Sequence, residues 1–170
     1  IVYSSEEPSG GDSDDIRYVT MTADGDPTGF FVVSDSNDSE DGISADVALN
    51  GVCPQVVWQE RGADGDGEWD AYFRGAAPVD AGCVWSPSVR ISAPGSIGGN
   101  FRPRVATVGS DAIVVWRRKI TSSSDQRVMA RWVIGGSASG AELHISDDPA
   151  HTFALDPVVT MDGDTAIIVF

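Results

Sequence analysis

Carboxylates at alternate positions are the first residues of this chain that could do chemistry. In "DGDGEWD", Asp64, Asp66, Glu68 and Asp70 lie two residues apart, and "DSNDSEDG" crowds a second acidic cluster between Asp35 and Gly42. Calcium takes roughly six to eight oxygen ligands, and closely spaced loop carboxylates can supply several of them. Calcium at the Asp64 loop is therefore the one cofactor the sequence suggests. Neither loop follows the EF-hand pattern, because the Gly is misplaced and the closing Glu is missing. Asp-Gly pairs also serve as ordinary turn residues, which is the better reading of "DGD" at Asp24 and at Asp162.

Other reactive groups are sparse. His144 and His151 are the only histidines, and two without a further partner do not make a zinc site of the usual kind. No strand-to-helix nucleophile elbow, phosphate-binding glycine loop or Cys-His pair is present. Two arginines, Arg102 and Arg104, stand two residues apart in "NFRPRV". A guanidinium fits a carboxylate with two parallel hydrogen bonds, so this pair could hold an anion.

The elements that must position these groups come from a repeat. "VALNGVCPQVVW" (Val47 to Trp58), "VATVGSDAIVVW" (Val105 to Trp116) and "VTMDGDTAIIVF" (Val159 to Phe170) align without a gap. Each starts on Val, carries Gly at its fifth position and ends on an aromatic. Upstream, Ser34, Ser92 and Ser146 each precede the next terminal aromatic by 24 residues. Ile43, Phe101 and Leu155 each sit nine residues after that Ser. The opening "IVY" falls in phase with "VVW" and "IVF". A period of this length marks solenoids, propellers or arrays.

Four apolar runs fill each period. The aromatic segment splits at its Gly into two runs joined by turn residues, a hairpin signal. A third run follows as "IRYVTM", "DAYFRG" and "RVMARWVI", and a fourth as "GFFVVS", "VWSPSVRIS" and "AELHIS". "ADGDPTG", "GAAPVDAG" and "GGSASG" read as the turns between them. The second run is apolar throughout, as in a strand buried on both faces, while the third and fourth alternate. No window carries a sustained helical period. An all-β chain of four-stranded antiparallel units, apolar inside and more polar outside, describes β-propeller blades. About three blades are expected: residues 1–34 (partial), 35–92, 93–146 and 147–170 (partial) of one propeller segment. Trp58, Trp116 and Phe170 should each pack between neighbouring sheets.

The segment "P-x-V-A…G…A-x-V-V-W" resembles repeats in secreted bacterial propellers loosely related to sialidases. The resemblance spans nearly the whole chain but rests on core residues, and the Asp-box of sialidase blades is absent. A sialidase-like site would need an arginine clamp, a Tyr-Glu pair and an acid Asp. Arg102 and Arg104 stand where the resemblance puts the axial mouth, but Tyr18 and Tyr72 lie on third strands further out. In the other repeats Ser44 and Asp156 replace Arg102, and Asp46 and Val158 replace Arg104. Arg102, Arg104, Asp46 and Asp156 are thus the candidate ligand-binding residues. Variation over a fixed core suits a ligand-facing rim, and equally suits any solvated strand start.

The repeat also places the cysteines. Cys53 falls in the turn after a first strand and Cys83 in the turn after a third, at one end of one blade. A disulfide is expected from this, with two buried free thiols in a reducing compartment as the alternative. Propellers close with about four to eight blades, so three imply further blades of a longer protein or a second copy of the chain.

Charge narrows the partners. With 26 acidic and 11 basic residues, a net charge of −15 disfavours nucleic acid and anionic membranes. No apolar run approaches a membrane span. The expected setting is extracellular, secreted or on the cell surface. The expected function is a non-catalytic propeller that binds a glycan or protein, or serves as a scaffold. The alternative is part of a sialidase-like or other glycan-cleaving enzyme whose catalytic residues lie partly in other blades.

Overall fold

The apolar runs of the repeat are strands. A computed structural model of the chain describes residues 1–6, 14–34, 42–61, 67–80, 82–94, 98–120, 125–146 and 156–170. Within them the chain is all β, with fourteen strands in four antiparallel sheets and no helix.

Sheet 1 holds β1 (Val2–Glu6), β2 (Asp14–Met21) and β3 (Pro27–Val32) in that order. Sheet 2 runs β4 (Gly42–Asn50), β5 (Cys53–Arg61), β6 (Trp69–Val79) and β7 (Gly82–Trp85), with β8 (Val89–Arg90) also on β6. Sheet 3 runs β9 (Asn100–Val108), β10 (Asp111–Lys119), β11 (Gln126–Ile134) and β12 (Ser137–His144). Sheet 4 pairs β13 (Val158–Asp162) with β14 (Thr165–Val169).

Local chemistry explains most boundaries. The fifth-position glycines of the repeat, Gly51, Gly109 and Gly163, have φ of +61°, +54° and +54°. Each opens the two-residue turn between first and second strands, where a positive φ costs Gly least because it has no Cβ. The third strand of sheet 2 and the fourth of sheet 3 run further than the sequence suggests. Gly75 to Val79 belong to β6 and Ser137 to Gly140 to β12, so those stretches are strand rather than loop. The fourth strand of sheet 2 is broken instead at Ser86–Ser88, where Pro87 has no N–H to give the ladder.

The repeated serines have a common task. Ile16 N donates to Ser34 Oγ at 3.1 Å, Ala71 N to Ser92 Oγ at 3.1 Å and Val128 N to Ser146 Oγ at 2.8 Å. Each serine thus closes the start of a third strand from the end of the fourth. Asp15 and Asp70 in turn accept the hydroxyls of Ser34 and Ser92.

The sheets stack face to face in chain order. Ile16, Tyr18 and Val33 of the first meet Val56 and Trp58 of the second. Val57, Phe73 and Ile91 of the second meet Val114, Trp116 and Met129 of the third. Ile113 and Val115 of the third meet Val159 and Ile168 of the fourth. Alternate residues of β5 and β10 serve opposite interfaces, which is why these second strands are apolar on both faces. Trp58 and Trp116 are fully buried. Phe170 departs from the expectation and is 54% exposed, because it stands beyond Val169, the last paired residue of β14.

Cross-sheet hydrogen bonds repeat with the same period. Arg74 Nη1 donates to Val33 O at 2.7 Å and Arg131 Nη1 to Ile91 O at 2.9 Å. Both arginines hold the fifth position from the start of their third runs, "DAYFR" and "RVMAR". Both also reach a fourth-strand carbonyl of their own sheet, Ser86 O and Gly140 O. Each clamps its sheet to the carbonyl just before the repeated serine of the preceding one.

The disulfide is present. Cys53 and Cys83 are bonded, with Cα atoms 5.6 Å apart and 30 residues between them in sequence. Replacing both with serine should lower stability by about 3 kcal/mol in the chain-entropy picture of loop closure, read from urea unfolding under oxidising conditions. Trp116→Ala should cost about 3–5 kcal/mol, as large buried aromatics do. A loss under about 1 kcal/mol in the same assay would show that its pocket is not close-packed.

Candidate functional site

The end of each sheet where the first strand begins and the second finishes gathers most of the candidate residues. The first strands enter it through a shared irregularity. Pairing of β4 with β5 slips between Ile43 and Asp46, and β9 with β10 slips opposite Val115 and Arg117. Ser44 and Arg102, equivalent in the repeat, occupy these bulges with φ of +55° and +52°. They are the two non-glycine residues with positive φ among those described. Such a conformation costs on the order of 1–3 kcal/mol and persists where surroundings enforce it. Asp156, the third equivalent, stands just before β13.

The residue that follows the terminal aromatic reaches this position of the next repeat twice. Arg102 N donates to Gln59 Oε1 at 2.8 Å. One repeat later, Arg117 Nη1 lies 3.4 Å from Asp156 Oδ1. Arg102 also pairs with Asp156, so two guanidiniums share one carboxylate. Burial, and then the charge of Arg102, lowers the pKa of Arg117 from the usual arginine value. The Arg117 Nε is buried with no hydrogen-bond partner among the described residues, and its guanidinium lies 5.5 Å from the Phe101 ring centre.

Of the expected ligand-binding residues, Arg102 and Asp156 are therefore brought together across a sheet boundary. Asp46 Oδ2 accepts Val105 N at 3.1 Å, so this carboxylate bridges first strands of adjacent sheets. Arg104 is half-buried and donates to Pro103 O. Sequence reasoning missed Arg117 and Gln59, although both follow the terminal aromatic of the repeat by one residue. Arg102, Arg104 and Arg117 bring three guanidiniums to this end, and two of them are already paired with Asp156. Arg102, half exposed, keeps N–H groups beyond its pair with Asp156 that an anion could accept from.

The expected calcium loop divides. Asp64 and Asp66 lie outside the described residues. Asp70 is 1% exposed and faces inward. It binds Arg90 at 2.7 Å, the Ser92 hydroxyl at 2.7 Å and Asn100 Nδ2 at 3.3 Å. Its carboxylate joins sheet 2 to sheet 3 instead of opening toward a loop. Glu68 is half-buried. Among the described residues no cluster of His, Cys, Asp and Glu could hold a metal.

Histidine and tyrosine add little chemistry here. His144 is exposed on the outer strand β12, and His151 lies outside the described residues. Tyr18 is buried against Trp85 and Tyr72 stacks on Trp58 at 5.8 Å, so both tyrosines serve the first sheet boundary. At the opposite end, beside the disulfide, a cavity of about 220 Å³ separates sheets 2 and 3. Its lining is mostly apolar, with Ala76, Ala77 and Pro78 beside Asn50, Gln55 and Ser86, and carries no charge.

A further ion pair gives the stack an acid-sensitive element. Arg118 holds Glu142 through Nη1 and Nη2, and Ala93 N, between sheets 2 and 3, donates to Glu142 Oε1 at 2.6 Å. Burial alone would raise the Glu142 pKa, but the Arg118 bond, the Ala93 N–H and the charges of Arg118 and Arg131 outweigh it. Its carboxyl is held below the usual glutamate value. A depressed folded pKa adds stability above the unfolded value of about 4.3 and loses it as pH falls through the folded one. Glu142→Gln should therefore flatten the acid limb of stability against pH, measured by thermal unfolding between neutral and strongly acid buffers. An unchanged acid limb would remove Glu142 from that role.

Comparison with known proteins finds no matching family model, no matching curated protein and no matching solved structure.

Proposed function

We propose that the four sheets are successive blades of a β-propeller, exported from the cell, that binds a glycan or protein ligand at the Arg102 end and has no catalytic role. One observation carries the ligand-binding part. The bulged backbone at Ser44 and Arg102 is the same, yet the side chains at this position are Ser, Arg and Asp. A fixed and strained backbone that displays variable side chains is what a recognition rim needs, because the scaffold holds while the contacts change. Stacking in chain order, with an apolar cluster at each of the three sheet boundaries, supports the propeller. The Cys53–Cys83 bond supports an oxidising, extracellular setting. No helix among the described residues is long and apolar enough to cross a membrane.

A panel of immobilised neutral and carboxylated glycans tests the site. Binding should favour the carboxylated members and weaken with salt, as a guanidinium contact does. The Arg102→Ala, Arg104→Ala double variant should lose that binding while keeping the parent circular dichroism spectrum. Retained binding by the double variant would take the site away from this end. Absence of binding to every glycan would reduce the reading to a protein-binding or scaffold role.

A further inference from the structure

The back of sheet 2 lacks the plug that fills the back of sheet 3. In sheet 3, Ile113 and Trp132 are cross-strand partners, and both belong to the apolar cluster that meets sheet 4. Gln55 holds the repeat position of Ile113, each standing three residues before its tryptophan. It pairs with Gly75 as Ile113 pairs with Trp132. An amide and a residue without a side chain thus replace an isoleucine and a tryptophan. The cavity of about 220 Å³ between sheets 2 and 3 opens at this pair. Interiors are normally close-packed, and here the volume that one repeat gives to a tryptophan is left open in another.

The floor of the cavity carries a polar group with capacity to spare. Gln55 is 7% exposed, and its Nε2 donates to Ala76 O at 2.8 Å. That bond orients the amide and leaves Oε1 as an acceptor with no hydrogen bond among the described residues. A Cβ on Gly75 would stand 2.3 Å from Oε1, so the oxygen lies directly over the bare glycine. Gly75 and Ala76 are buried beside it, while Ala77, Pro78 and Gly135 form an exposed rim. Across the gap, a Cβ on Gly136 would meet only Ser86 Oγ, at 3.9 Å. The Cys53–Cys83 bond steadies one wall, because Cys83 pairs with Pro78.

We propose that this cavity is a further binding site, for a small neutral aromatic molecule that carries an N–H or O–H donor. The ring takes the volume that Trp132 fills in the next repeat, and the donor meets Gln55 Oε1. An apolar cavity of about 150 Å³ can hold benzene, so a two-ring molecule such as indole is within the size available here. An ionised ligand would lose its hydration and find no counter-charge in the lining. The chemistry is thus the opposite of that at the Arg102 end. The inference depends neither on that end nor on the propeller reading.

Calorimetric titration of the chain with indole, paired with amide shift mapping by NMR, tests it. Indole should bind one to one and shift the amides of Gln55, Gly75 and Gly136. Benzene, which has no donor, should bind roughly fivefold more weakly, as one net hydrogen bond allows. Benzoate, which is charged, should not bind there. The double variant Gln55→Ile, Gly75→Trp rebuilds the pair of sheet 3 and should abolish indole binding while keeping the parent circular dichroism spectrum. Gln55→Met keeps the length of the side chain and removes the acceptor, so indole and benzene should then bind equally well. This single variant decides the matter if the double variant does not fold. Indole that fails to saturate, or that shifts amides elsewhere in the chain, would overturn the proposal. So would an undiminished preference for indole over benzene in Gln55→Met.

Discussion

A sheet that is apolar on both faces needs covering twice, and this requirement organises the whole chain. Alternate residues of β5 point to opposite neighbours, Val56 and Trp58 toward sheet 1 and Val57 toward sheet 3. β10 repeats the arrangement with Val114 and Trp116 on one side and Ile113 and Val115 on the other. Burial of a large apolar side chain contributes roughly 1.5–3 kcal/mol, so these central strands dominate cohesion. Polar devices then set the registry that apolar contact leaves free. The Arg74 and Arg131 clamps, the Asp46 bridge and the Gln59 bond each connect one sheet to the next at a defined height.

The same registry builds the candidate site. First strands held side by side must begin at one end, and there the bulges at Ser44 and Arg102 turn the backbone into the left-handed region. Asp156 arrives at that end from the next repeat and draws in Arg102 and Arg117. The pairing neutralises part of the positive charge but fixes both guanidiniums. Pre-placed donors lose little freedom on meeting an anion, which is how preorganisation supports recognition. The acidic remainder of the chain disfavours indiscriminate binding of polyanions.

Much of the fold was legible because the repeat constrains residues of very different kinds. Its glycines mark two-residue turns, its serines close third strands, and its tryptophans fill sheet boundaries. Repeat phase alone was enough to place Cys53 and Cys83 at one end. The arginine clamps escaped notice because their acceptors are backbone carbonyls of another sheet, which leave no trace in composition. Aligning "DAYFR" with "RVMAR" would have revealed them. Asp70 was misleading for a related reason. Its alternation with Asp64, Asp66 and Glu68 suggested a loop ligand, whereas it opens a strand and turns inward to Arg90, Ser92 and Asn100. The terminal Phe170 fits the pattern but extends past the paired part of β14, and a motif cannot register that loss.

Hydrogen–deuterium exchange resolved strand by strand tests the double covering most directly. If β5 and β10 are each enclosed by two neighbouring sheets, their amides should exchange through global unfolding alone and be the slowest in the chain. The outer strand β12, largely exposed, should exchange much faster through local opening. Amides of β5 or β10 that exchange as fast as those of β12 would contradict the face-to-face stack on which the fold and the candidate site both depend.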